Sequence, residues 1–145
     1  MLFRSECDEG QIWEAALFAA HHKLDNFFLV IDDNKVQLDG NTDDICALGD
    51  LAAKFSAFDW HAQRVDGHDV GAILEAFNTA QEYKGKPHVI VIDTVKGKGC
   101  LIAEEAALNG QMNHAMPFPD KVQNEAEIRR MEACVAALEA ERSAL

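Results

Sequence analysis

Hard oxygen donors follow the most apolar stretch of the chain. The run Phe27-Phe28-Leu29-Val30-Ile31 predicts a buried strand, and Asp32-Asp33-Asn34 comes directly after it. In open parallel sheets, ligands bind at the carboxyl ends of the strands, so these side chains are placed where a ligand could reach them. A purely local role for Asn34 is the alternative, because Asn tolerates the left-handed conformation and bonds its own backbone at such junctions.

A second candidate site follows another apolar strand, His88-Val89-Ile90-Val91-Ile92. The segment Lys96-Gly97-Lys98-Gly99 comes shortly after it. Glycines let the backbone approach a phosphate closely and lysine supplies positive charge, so Lys96 could contact a diphosphate. The segment lacks the spacing of a Walker loop, and it could equally be a flexible turn.

Two acidic residues and one histidine complete the candidates. Glu9 and Glu14 lie near the start of a predicted helix, where they could do no more than complement the helix dipole. His114, in Asn113-His114-Ala115-Met116-Pro117, falls in a predicted loop. A loop histidine can donate a hydrogen bond to phosphate or act as an acid or base near neutral pH, and it can also simply be exposed to solvent.

Helical and strand patterns alternate along the chain. We predict helices at 10–24, 43–57, 69–83 and 122–142, strands at 27–32, 60–65 and 87–95, and a long loop at 96–120. This order predicts an α/β fold, a parallel sheet flanked by helices on both faces. The last helix has an apolar stripe, which we expect to dock on its own domain: Ile128, Met131, Val135 and Leu138.

Composition narrows the possible functions. The chain has 145 residues, enough for one domain, and a formal net charge of −12, which argues against nucleic acid and anionic membranes as partners. Its longest apolar run is too short to span a bilayer. The four cysteines are widely spaced and form no Cys-x-x-Cys pair. They predict reduced thiols and a cytoplasmic location.

Three segments carry a family resemblance. Glu9-Gly10-Gln11-Ile12-Trp13-Glu14-Ala15, Asp33-Asn34-Lys35-Val36 and Asp39-Gly40-Asn41-Thr42 together resemble the thiamine-diphosphate motif of transketolases. The resemblance covers residues 6 to about 142 and is strongest over 6–42. It implies the thiamine-diphosphate-binding fold, in its diphosphate-binding domain, and the transfer of a two-carbon ketol unit between sugar phosphates in carbohydrate metabolism, as in the pentose phosphate pathway.

The resemblance also implies roles for single residues. Asn34 and the backbone carbonyl of Val36 correspond to magnesium ligands. Glu9, Gly10 and Glu14 belong to the cofactor site, Glu9 and Glu14 as part of a carboxylate cluster that supports activation of the cofactor. Lys96 corresponds to a diphosphate contact, and His114 to a histidine that reaches both diphosphate and substrate, so that His114 and Glu9 are the implied catalytic residues.

The chain departs from the family at its start. The family motif opens with Gly-Asp-Gly, whose aspartate binds magnesium, and this chain has Phe3-Arg4-Ser5 instead. Leu2-Phe3-Arg4-Ser5 also matches one reading frame of a common sequencing adapter. We therefore expect residues 1–5 to be a non-native leader and 6–145 to be a partial domain, incomplete at its N-terminus and inactive alone. Unpaired strand edges and poor solubility should follow.

The end of the chain near Leu145 resembles the N-terminal subunit of a split transketolase. This implies a partner, the C-terminal subunit that carries the pyrimidine-binding domain, in a heterotetramer. Two alternatives stay open. One is another thiamine-diphosphate enzyme, such as a deoxyxylulose-phosphate synthase or an oxo-acid dehydrogenase component. The other is a non-catalytic interaction module, which Arg4 supports because a cation at that position would repel magnesium.

Overall fold

The computed structural model describes residues 1–110 and 121–144. A short 3-10 helix, Arg4–Asp8, follows the first strand. The remaining elements are, in chain order, β1 (Leu2–Phe3), α1 (Gly10–His21), β2 (Phe28–Asp33), β3 (Val36–Gln37), β4 (Gly40–Asn41), α2 (Thr42–Ile45), α3 (Leu51–Ala57), β5 (His61–Asp66), α4 (Val70–Glu82), β6 (His88–Asp93), α5 (Leu101–Leu108) and α6 (Lys121–Ser143).

Four strands form one parallel sheet, in the order β1-β2-β6-β5. The strand β6 lies at its centre, and Val89, Ile90 and Val91 are fully buried because helices cover both faces. β3 and β4 form a separate antiparallel hairpin just beyond the end of β2. The predicted α/β architecture is confirmed.

The two faces of the sheet pack against different helices. Helices α1 and α3 share one core with Leu29 and Ile31 of β2. Trp60 anchors this core, since its indole Nε1 donates to the Ala16 carbonyl of α1 at 2.9 Å. On the opposite face, Phe28 meets Phe77 of α4 with ring centroids 5.6 Å apart. Successive side chains of β2 point to opposite faces of the sheet, so they pack against helices on both sides.

Cys7 belongs to the first core and is completely buried. Burial, together with the charges of Asp8 and Glu6, raises the pKa of its thiol to about 11. The thiol is therefore neutral at physiological pH. All four cysteines are free.

Two predicted elements are wrong in detail. The helix predicted at 43–57 is two helices, because Gly49 adopts a left-handed φ of +62° and Asp50 then caps α3 by accepting from the Ala53 amide. The loop predicted at 96–120 contains α5, whose residues are mostly Leu, Ala and Glu, all strong helix formers. Elsewhere the predicted boundaries differ from the structure by a few residues.

The apolar stripe of α6 does not dock on the domain as predicted. Ile128, Val135 and Leu138 are 49%, 53% and 59% exposed. The helix contacts α5 through another side, where Arg130 Nη1 lies 2.9 Å from Glu105 Oε2. Within the described residues, every helix is too short or too polar to cross a membrane.

One edge of the sheet is partly unpaired, and the outer face of α1 is exposed to solvent. β1 pairs only with Ile31 and Asp32, so the first half of β2 has no neighbour on that side among the described residues. An apolar cavity of about 270 Å³ lies there, lined in part by Ile12, Ala15 and Leu29. Leu17 and Phe18 on the outer face of α1 are 54% and 61% exposed. This is the uncovered apolar surface that the sequence predicts.

Candidate functional site

Three aspartates end three neighbouring strands at the same edge of the sheet. Asp33 of β2 is in register with Asp93 of β6, and Asp93 with Asp66 of β5. This is the carboxyl edge, where ligands bind in parallel sheets. Asp33 is completely buried, whereas the side chain of Asp93 is 42% exposed.

Three cations surround the buried carboxylate of Asp33. Arg64 Nη2 lies 2.7 Å from Asp33 Oδ2, and Arg64 Nε lies 2.7 Å from Asp93 Oδ2. Lys35 Nζ bonds the same Asp33 oxygen and lies 3.3 Å from Asp93 Oδ1. Arg4 Nη1 approaches Asp33 Oδ1 at 3.2 Å. The carboxylates and cations thus form one connected network, which we call the Asp33 network: Arg4, Asp33, Lys35, Arg64 and Asp93.

The pKa shifts of Asp33, Asp93 and Arg64 favour the charged form of each group at neutral pH. Burial acts to raise the pKa of Asp33, but hydrogen bonds and charge from Lys35 and Arg4 outweigh it, and the pKa is lowered. The hydrogen bond from Arg64 lowers the pKa of Asp93. The pKa of Arg64 is raised, chiefly by its hydrogen bond to Asp93. Neither carboxyl is therefore a proton donor near pH 7.

Asn34 forms a tight turn next to this network. Its Oδ1 accepts from the Val36 amide at 3.0 Å, and its Nδ2 donates to Asp32 Oδ2 at 3.2 Å. Lys35 has a left-handed φ of +64°, which completes the turn into β3. The local role considered for Asn34 is thus present. The hydrogen bond from the Val36 amide uses one lone pair of Asn34 Oδ1. The second lone pair is free to bind a cation.

The structure also tests whether this edge fits magnesium. The Arg4 side chain is buried between Asp33 and Asp43, and its Nε has no hydrogen-bond partner. By the resemblance described above, Arg4 takes the motif position of the family's metal-binding aspartate. A guanidinium there repels a divalent cation instead of binding it. Because the Arg4 guanidinium fills this position, the edge as it stands does not fit magnesium. Among the described residues, no group of three or more His, Cys, Asp or Glu side chains could hold a metal ion.

Glu9, Gly10 and Glu14 lie around the start of α1. Glu9 is the N-cap residue, but its side chain makes no capping bond, and Gly10 is the first helical residue. All three are exposed. None joins the Asp33 network. The start of α1 lies near the carboxyl edge of the sheet. This is because β1 ends at that edge and only one short 3-10 helix separates β1 from α1.

The Lys96 loop follows β6 and is held by its own contacts. Lys98 Nζ lies 2.8 Å from Glu104 Oε1, while Lys96 makes no ion pair with any described residue. Next to this loop, His68 Nε2 accepts from the Val95 amide at 2.8 Å. A Cβ on Gly67 would lie 2.4 Å from Thr94 Cγ2, so the turn at 66–69 packs tightly against the end of β6.

The structure brings together only some of the predicted site residues. Asn34 and Val36 share one turn at the carboxyl edge, and Lys96 follows the neighbouring strand. His114 lies outside the described residues. Sequence reasoning missed Arg64 and Asp93. Asp93 ends an otherwise apolar strand, which was a usable signal, whereas Arg64 lies inside the polar strand β5 and had none.

Comparisons with known proteins decide the family. The model of the family "Transketolase, thiamine diphosphate binding domain" matches residues 2–127. The chain belongs to the transketolase family. This region is therefore a thiamine-diphosphate-binding domain of the transketolase type.

Split transketolases are among the relatives. The chain is 46% identical over 99 residues to the 6-deoxy-6-sulfo-D-fructose transketolase subunit SqwG of Clostridium sp. (strain MSTE9), covering 68% of this chain and 36% of that protein. It is 37% identical over 118 residues to one of the subunits of the apulose-4-phosphate transketolase of Actinobacillus succinogenes, covering 81% and 41%. The chain thus spans less than half the length of these curated relatives.

Solved transketolases share the fold. The structure matches transketolase from Pichia stipitis in complex with sedoheptulose 7-phosphate with a TM-score of 0.66 and 30% identity, over 70% of this chain and 15% of that one. It matches transketolase from Campylobacter jejuni with a TM-score of 0.64 and 25% identity, over 98% and 24%.

Proposed function

We propose that this chain is the diphosphate-binding part of the N-terminal subunit of a split transketolase. The complete enzyme transfers a two-carbon ketol unit from a ketose phosphate to an aldose. Thiamine diphosphate, held with Mg²⁺, supplies the carbanion chemistry, and the protein supplies position and electrostatics. Its partner is a C-terminal subunit with the pyrimidine-binding domain, in a cytoplasmic heterotetramer.

The family match is the main support for this proposal, and the position of the Asn34 turn agrees with it. The family match places residues 2–127 in the thiamine-diphosphate-binding domain, and the Asn34 turn lies at the carboxyl edge of its sheet. Relatives named as transketolase subunits support the split arrangement. Those relatives are named for different sugar substrates, one a sulfonated sugar and one a sugar phosphate, so their names do not select the substrate of this chain. The class of sugar phosphates that we propose rests on the family resemblance.

Within this proposal, the site residues keep the roles that the resemblance implies. With an aspartate in place of Arg4, Asn34 Oδ1 and the Val36 carbonyl would be ligands of Mg²⁺. Lys96 and His114 contact the diphosphate, and His114 also reaches the sugar. Glu9, with Gly10 and Glu14 beside it, supports the cofactor from the start of α1.

Residues 3–5 determine whether the site can work. We propose that Arg4 prevents metal binding, because it places a buried cation beside Asp33. The test is an assay of ketol transfer between sugar phosphates, after co-expression with the product of the neighbouring gene. The chain as it stands should be inactive. The variant Phe3→Gly, Arg4→Asp, Ser5→Gly should transfer.

A matched control separates metal binding from folding. Adding Asn34→Ala to the restored variant removes an implied metal ligand without touching the core, so activity should fall while the circular dichroism spectrum is retained. Activity that survives Asn34→Ala would remove Asn34 from the metal site. A restored protein that folds, assembles and stays inactive would favour the non-catalytic interaction module.

A further inference from the structure

The last helix presents an apolar stripe that nothing covers in the described part of the chain. Ile128, Met131, Val135 and Leu138 recur at alternating three- and four-residue steps, as in two heptads of a coiled coil. A groove of about 390 Å³ follows this stripe between Ile128 and Glu139. Arg142 takes the next stripe position, so the apolar part ends at Leu138. A face of this kind suits another amphipathic helix.

The residues beside the stripe are acidic. In a heptad register, glutamates lie on both sides of the apolar stripe. One side has Glu127 and Glu141, with Cys134 between them, and the other side has Glu132 and Glu139. Arg130 Nη1 lies 3.6 Å from Glu127 Oε2. Glu132, Glu139 and Glu141 make no ion pair with described residues. Three of the four glutamates beside the stripe therefore have no compensating charge among the described residues, and Glu127 has Arg130.

The acidic residues beside the stripe determine what kind of partner can bind there. Two copies of α6 packed through the stripe would place glutamates opposite glutamates in either orientation, which is repulsive. The net charge of −12 adds to this repulsion. An anionic lipid surface is disfavoured for the same reason. A helix of another protein with Lys or Arg beside its apolar ridge would complement both the stripe and its flanks.

We propose that the α6 stripe is a docking surface for an amphipathic helix of a partner protein whose flanking residues are basic. The surface is distinct from the carboxyl edge of the sheet, so it does not depend on the cofactor assignment. The apolar residues of the stripe provide most of the binding free energy. The flanking glutamates make binding specific for a partner with basic residues.

Two synthetic helical peptides test this proposal on the full chain by fluorescence anisotropy. Both have Ile and Leu along one ridge, over about three heptads. One has Lys at the flanking positions and the other has Glu. The Lys peptide should bind at least about tenfold more tightly, and its binding should weaken as salt is raised. Equal binding of the two peptides, or binding of neither, would overturn the proposal.

Substitutions in α6 identify the surface. Val135→Asp should weaken the Lys peptide at least about tenfold. Ala133→Asp, which adds the same charge on the opposite side of the helix, should leave affinity within about twofold. Glu132→Lys with Glu139→Lys should remove most of the preference for the Lys peptide, because the two lysines then balance Glu127 and Glu141. Binding that survives Val135→Asp, or a dimer of the chain itself that Val135→Asp dissolves in ultracentrifugation, would refute the partner helix.

Discussion

At the residue scale, Asp33 organises the electrostatics of the carboxyl edge. Its side chain is completely buried and contacts Arg4, Lys35 and Arg64. Removing one member of a buried ion pair leaves uncompensated charge and costs about 3–5 kcal/mol. Asp33→Asn should therefore destabilise the fold by about that amount at pH 7. Urea unfolding followed by circular dichroism measures the change.

The same variant tests the pH dependence. Because the folded pKa of Asp33 is lowered, its stabilising contribution is complete above the unfolded value of about 3.9 and is lost as pH falls through the folded pKa. Asp33→Asn should remove that part of the acid sensitivity. Asp66→Asn is the matched control, since exposed Asp66 ends β5 at the same edge of the sheet, and among the described residues its side chain bonds only the His68 amide. If both variants behave alike, the network is not what stabilises this edge.

Sequence reasoning located the Asn34 turn because its signal is local. An apolar strand followed by Asp-Asp-Asn needs no knowledge of other strands. The bridge that Arg64 makes between Asp33 and Asp93 depends on the register of three strands, which the sequence does not state. The burial of Arg4 against Asp33 was invisible for the same reason.

At the element scale, strongly patterned segments were predictable and irregular ones were not. β2, β6 and α4 have continuous or helical apolar patterns, and the structure contains them. The break between α2 and α3 depends on one glycine conformation, at Gly49. The short helix α5 was hidden in a segment that we interpreted as a ligand-binding loop.

Close packing between elements gives a prediction at Gly67. This residue joins β5 to α4, and an added Cβ would lie 2.9 Å from the Asp93 carbonyl oxygen as well as close to Thr94. Gly67→Ala should cost about 1–3 kcal/mol of unfolding free energy, because backbone atoms cannot yield easily. Gly10→Ala, where a Cβ meets nothing within 4 Å, should be neutral or slightly stabilising. Equal effects in denaturant unfolding would contradict this packing.

At the scale of the whole molecule, the structure leaves large apolar surfaces open. The outer edge of β2, the outer face of α1 and the α6 stripe are all uncovered in the described residues. Such surfaces promote association with other chains, so the expected poor solubility of the isolated chain remains a prediction. Because the chain spans 36% and 41% of two curated relatives, these relatives contain much sequence that has no counterpart here.

Magnesium-dependent binding of thiamine diphosphate distinguishes a cofactor-binding domain from a non-catalytic interaction module. Isothermal titration calorimetry should be run with and without Mg²⁺ on two proteins, each co-expressed with the product of the neighbouring gene. One is the chain as it stands, and the other has Gly-Asp-Gly at positions 3–5. We predict binding only by the restored protein, and only with Mg²⁺. Binding by the chain with Arg4 in place, or no binding by a folded restored protein, would contradict the account.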